Sequence, residues 1–220
     1  MLTFITILIM LAVAYAEFRE GIFTAFTMLV NVMLAGLIAF NFWEPLAELT
    51  DASLKESFLD GFQDLFFMIF LFCLSLGLLR AITNNLANRQ IFFPAVPQQF
   101  GAAGVGLLTG YLVSGFLLCA LQTLPWHQNF MEFEPRHRDE GDMRRFFPPD
   151  RVWLALMRYA GANGFARSAD KENEESPYDR YPTFDRSGSF ELRYWRYRRH
   201  SDKDGPLPYQ GELDLELKGK

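Results

Sequence analysis

The chain has 220 residues, 21% of them charged, a formal net charge of −5 and a mean hydropathy of +0.03, averages that would suit an ordinary soluble domain. The distribution excludes one: residues 1–124 hold only 12 of the 47 Asp, Glu, Lys and Arg side chains, and the remaining 96 residues hold the other 35. The first part is too apolar and aromatic to stay unfolded in water, which also excludes general disorder.

Four apolar segments follow one another in the first part: residues 1–16, 22–42, 62–79 and 101–124. At 1.5 Å per residue they reach roughly 24 to 36 Å, which brackets a hydrocarbon core of about 30 Å. An all-α membrane region is therefore expected over residues 1–124, a bundle of four transmembrane helices. Segments one and two are separated only by Glu17-Phe18-Arg19-Glu20-Gly21, so they are expected to lie as antiparallel neighbours. Ala14-Tyr15-Ala16 has the look of a signal-peptidase site. Met1-Leu2-Thr3-Phe4 lacks the positive charge of a secretory leader, so the first segment is read as a retained span.

Arginines orient the chain. Arg19, Arg80 and Arg89 fall in loops one and three, whereas loop two offers only Lys55 among Glu44, Glu48, Asp51, Glu56 and Asp60. Counting bases places loops one and three in the cytoplasm and both termini outside. Arg136, Arg138, Arg144 and Arg145 pull the other way, but long tails translocate largely regardless of charge. Trp43 and Trp126 are expected at headgroup depth where helices two and four emerge. Residues 44–61, with Leu46, Leu49, Leu54 and Phe58 among acids, read as a loop or a short helix on the outer surface. Ile82 and Leu86 are placed in the third loop, ahead of Ile91-Phe92-Phe93-Pro94.

In lipid, helices associate through close backbone approach at small residues. Gly106, Gly110 and Ser114 recur every four residues on the fourth segment, and Gly101, Gly104 and Gly115 widen that smooth face. Ala35 and Ala39, beside Gly36, form a weaker counterpart on the second. The pattern predicts a tight helix–helix interface, either within one chain or between copies. Polar groups at membrane depth are few. Asp64 and Gln63 lie in the first turn of helix three, where the helix dipole favours a carboxylate, and an ion or proton path is the alternative. Asn31 is positioned to bond across to another helix, and Arg80 to snorkel to lipid phosphates. Cys73 and Cys119 sit in apolar runs and read as inert packing.

The composition changes abruptly after Leu124. Residues 125–147 read as a linker and 148–220 as an extramembrane tail, small α+β or partly disordered. A short helix is expected over 151–160, capped by Asp150 and ended by Gly161, with Trp153, Leu156, Met157 and Ala160 on one side to cover a small core or rest on the membrane. Residues 190–199 read as a strand. Within it Arg193, Trp195, Arg196, Arg198 and Arg199 interleave bases with aromatics, a composition that contacts nucleic acid, lipid headgroups or glycan. With the tail outside, and a net charge of −4 in the first part and −1 in the second, no nucleic acid is expected; the partners are the bilayer and either a second copy or another membrane protein. His127, His137 and His200 lack metal-ligand spacing, and no nucleophile-elbow or phosphate-loop motif occurs. No catalytic set, metal or cofactor is expected, and the chain is read as a non-enzyme.

The layout resembles the colicin V production protein family: a small charged loop ending in Gly21, an acidic second loop, a third helix closing on Arg80, and a glycine-ridged fourth helix carrying Gly101, Gly106 and Gly110. Gln98-Gln99 stands where members often have a charged pair. The resemblance covers residues 1–124. It implies a bacterial inner-membrane protein with a role in toxin production or export, or in envelope homeostasis, and no established chemistry. Two functional readings follow: a membrane scaffold, or a channel or transporter component using Asp64, Gln63 and Asn31.

Overall fold

The computed structural model describes residues 2–54, 62–86, 95–124 and 148–162, together with Phe190 and Tyr194. Five helices account for nearly all of them: α1 (Leu2–Glu20), α2 (Ile22–Leu54), α3 (Gln63–Leu86), α4 (Ala95–Gln122) and α5 (Pro149–Ala162). The first four are apolar on every face and long enough to cross a membrane, over Leu2–Glu20, Ile22–Ala47, Gln63–Leu86 and Val96–Gln122. Their exposed side chains explain that pattern. Phe66, Phe70, Leu74, Leu78, Ile82 and Leu86 form one outward stripe along α3, as a surface solvated by lipid requires.

α1 and α2 are joined by Gly21 alone. Its φ of +101° is open to glycine at little cost. The Gly21 N–H donates to the Glu17 carbonyl (3.0 Å) and its own carbonyl accepts from the Ala25 N–H (3.0 Å), so one residue ends α1 and starts α2. The two helices nevertheless part beyond this joint. α1 packs along α4, α2 packs against α3 and α4, and α4 is the helix that all the others touch. The expectation that α1 and α2 lie side by side is corrected: the glycine ridge of α4 offers α1 a closer backbone approach than α2 does.

The direction of packing is read from paired positions. Gly21 meets Gln98, Gly101 meets Ile22, Gly106 meets Ala14 and Gly110 meets Met10, so α1 runs antiparallel to α4. Asn31 meets Thr83, and Phe40 meets Phe116, which makes α2 antiparallel to α3 and parallel to α4. One end of the bundle therefore holds Gly21, Arg80 and Gln98. The other holds Leu2, Trp43, Asp64 and Leu124.

Five boundaries differ from the sequence reading, the first being that α1 continues past residue 16 to Glu20. α2 continues through Pro45 to Leu54 rather than ending in a loop, because Trp43 and Ala47, one turn apart on either side of the proline, are both buried in the bundle. α3 extends to Leu86, so Ile82 and Leu86 belong to its lipid-facing stripe and not to a loop. α4 starts at Ala95, with Pro97 in the first turn where its missing N–H costs nothing. α5 starts at Pro149, and its cap is Pro148, whose carbonyl accepts from the Val152 N–H (3.1 Å); Asp150 lies inside the first turn instead of capping it.

The core is one cluster shared by α2, α3, α4 and α5, with Phe190 and Tyr194 added at its edge. Phe116 stands at its centre, stacked on Phe72 at 4.0 Å between ring centroids and edge-on to Phe40 (6.1 Å) and Trp153 (5.8 Å). Phe190 and Tyr194 are helical and buried, which corrects the strand expected there at these two positions; Phe190 packs on Phe40 and Tyr194 on Trp43. No strand occurs among the described residues.

Candidate functional site

The seam between α1 and α4 is built on glycine. A methyl group placed on Gly110 would stand 2.7 Å from the Met10 Cα and 3.2 Å from the Ile9 carbonyl oxygen, and one on Gly106 would stand 2.8 Å from the Ala14 Cα. These are backbone atoms, which yield only if the whole helix moves. Gly101 instead meets the tip of the Ile22 side chain, at the start of α2 (2.6 Å), and Ser114 is buried with its hydroxyl donating to the Tyr111 carbonyl (2.7 Å). Gly104 stands apart, with nothing within 4 Å of an added methyl. Gly106 and Gly110 thus face α1 of the same chain.

Ala35 and Ala39 are fully buried on α2. Their neighbour Gly36 and the facing Gly115 form a notch filled by Trp153: a methyl on Gly36 would collide with the indole, and one on Gly115 with the Pro149 carbonyl. Met157 and Leu154 complete this contact, so the apolar side of α5 covers the four-helix core itself. The sequence reading placed Gly36 and Gly115 among the packing residues, but their large partner lies far along the chain and no local pattern names it.

The polar residues divide between the two ends. At the Gly21 end, Arg80 Nη2 donates to both carboxylate oxygens of Glu20 (3.0 and 3.1 Å), tying α3 to α1. Arg80, expected to reach lipid phosphates, has an acid of α1 as its partner in the structure. The pair is exposed, and such pairs contribute about 0.2–1 kcal/mol. Toward the same end Asn31 Nδ2 donates to Thr83 Oγ1 (3.1 Å), the cross-helix bond its position suggested. Glu17 is 4% exposed, packed against Gly106, and its Oε2 accepts no hydrogen bond among the described residues. Sequence reasoning missed it by treating residues 17–20 as loop. Their helical continuation up to a terminating glycine was the available signal.

At the opposite end, Asp64 Oδ2 accepts from the Tyr194 hydroxyl (2.8 Å), and Gln63 is buried beside it on α3. Gln122 Nε2 donates to Asp150 Oδ2 (2.9 Å), joining α4 to α5; both residues are buried. Trp43, expected at headgroup depth facing lipid, is buried within the bundle against Tyr194, so it is a core residue and not an interfacial anchor. Cys119 is buried, and Cys73 lies exposed on α3. Trp126, residues 125–147, Lys55, Arg89 and the basic-aromatic positions Arg193, Trp195, Arg196, Arg198 and Arg199 lie outside the described residues. Among the described residues no group of His, Cys, Asp and Glu is arranged to hold a metal ion.

Between the polar ends the interior is aromatic. On α3 the buried positions between Asp64 and Thr83 are Met68, Phe72 and Ser75, and Phe72 is closed off by Phe116 of α4. Four apolar spans around a packed interior define a multi-pass helical membrane protein. The chain belongs to the colicin V production protein family: the family's model, described as Colicin V production protein, matches residues 2–135, which takes in all four spans and stops short of α5. No curated protein and no solved structure matches the chain.

Proposed function

We propose that the chain is a non-enzymatic scaffold of the bacterial inner membrane, with both termini on the outer side, serving toxin production or export or envelope homeostasis. The observation that carries this reading is the packed interior. Asp64 and Asn31, the polar residues a conduit would use, engage Tyr194 and Thr83 at opposite ends of the bundle, with Phe72, Phe116 and Phe40 packed between them. A conducting pathway calls for polar or hydrated lining through that depth. The backbone contact of α1 with α4 adds rigidity, as suits a surface that holds partners in a fixed geometry. The outer placement of the termini is supported by the excess of bases at and beyond the Gly21 end of the bundle, Arg19 near the end of α1, Arg80 in α3 and Arg89 after it, against the single Lys55 between α2 and α3.

In-membrane crosslinking with identification of captured proteins tests the scaffold. A discrete set of membrane partners is expected for the natural chain, and Gly106→Leu with Gly110→Leu, which force α1 off α4, should lose them. An unchanged capture pattern in that variant would refute the role assigned to the seam.

A further inference from the structure

α5 lies at a depth that its charged surroundings in the sequence conceal. Its Trp153 fills the notch between Gly36 and Gly115, and Pro149 abuts Gly115. Gly115 precedes the end of α4 at Gln122 by seven residues, about 10 Å along the helix, and Gly36 precedes the end of its apolar span at Ala47 by eleven, about 16 Å. Both positions fall within a hydrocarbon core about 30 Å thick when the spans are centred in it. The face of α5 turned away from the bundle carries Val152, Ala155 and Tyr159, uncharged and exposed, at 38% for Val152 and 71% for Tyr159. Arg151 and Arg158 stand together at one edge of the helix and leave that face free of charge.

We propose that α5 is embedded in the bilayer beside α2 and α4, with the Val152, Ala155 and Tyr159 face in contact with lipid acyl chains. Its uncharged, exposed character matches that of the spans, where Ile38 and Phe42 on α2 and Leu107 and Leu108 on α4 are also exposed. Fourteen residues reach about 21 Å, too short to cross, so α5 enters and leaves on the side of the bundle that holds Leu2 and Leu124. Backbone donors at a helix start are costly in lipid. Pro148 and Pro149 supply the cap and first position of α5 without an N–H, which removes two of the four groups that would otherwise lack a partner.

The test uses the full chain in lipid vesicles with Cys73→Ala and Cys119→Ala, and a single cysteine introduced as Val152→Cys or Ala155→Cys. Leu108→Cys serves as the lipid-facing reference and Leu49→Cys, past the end of the α2 span, as the aqueous one. A fluorophore on Cys at 152 or 155 should be quenched by lipids brominated on their acyl chains as strongly as at 108, and little by aqueous iodide. A membrane-impermeant thiol reagent on both faces should leave 152 and 155 unmodified in the time that completes reaction at 49. Reaction as fast as at 49 would overturn the proposal by placing α5 in water. Quenching by neither agent would overturn it by showing protein over that face.

Discussion

Replacing Gly110 by alanine adds one methyl group at a point where α1 has no side chain to move aside. The new carbon would stand 2.7 Å from the Met10 Cα, whereas ordinary contact begins near 3.4 Å, so α1 must retreat by about 0.7 Å or more. A gap of that size forfeits a quarter to a half of each dispersion contact, each worth about 0.1–0.2 kcal/mol, and a seam of a few tens of atom pairs then loses about 1–3 kcal/mol. Overpacking in cores costs the same order. Gly104→Ala is the matched control, since nothing lies within 4 Å of its added methyl, and alanine's better helix propensity makes it neutral or stabilising by up to about 1 kcal/mol. The assay is SDS-driven unfolding in micelles followed by tryptophan fluorescence, which the buried Trp43 and Trp153 report. Gly110→Ala should unfold at lower SDS than the natural chain, with Gly104→Ala at equal or higher SDS. Equal midpoints for the two variants would refute the α1–α4 seam.

Trp153→Ala empties the notch between Gly36 and Gly115 and should cost about 3–5 kcal/mol in the same unfolding assay, releasing α5 to proteolysis. Asn31→Val and Thr83→Val should each destabilise, with a coupling of about 0.6 kcal/mol in a double-mutant cycle; additive effects would show that their bond does not form. Gly21→Ala forces a side chain into the left-handed region and against Gln98, and should cost at least about 1–2 kcal/mol, read as a lower unfolding midpoint. Reporter fusions after Leu124 and at Lys220 should be active on the outer side of the membrane, and cytoplasmic activity would reverse the orientation drawn from Arg19, Arg80 and Arg89.

The spans were legible because a lipid-facing helix is apolar on all sides, a signal that needs no knowledge of its neighbours. The glycine ridge was legible for the same reason, since Gly106 and Gly110 mark close approach whatever approaches. Which helix approaches was not: the short separation at Glu17–Gly21 suggested α2 as the neighbour of α1, whereas surface fit chose α4. Pro45 misled because buried neighbours on both sides held the helix through it. Trp43 misled because an aromatic near a span end has the same local surroundings whether it faces lipid or a second aromatic such as Tyr194. The contacts of Asp64 with Tyr194 and of Gln122 with Asp150 join residues far apart in the chain, and no spacing rule reaches them.

The central claim, that the bundle is a packed scaffold with no conduit through it, is tested most directly by ion and proton flux across proteoliposomes containing the full chain. The packed rings of Phe72, Phe116 and Phe40 predict flux no greater than in empty vesicles and no change on Asp64→Ala. Protein-dependent flux that Asp64→Ala reduces would contradict it.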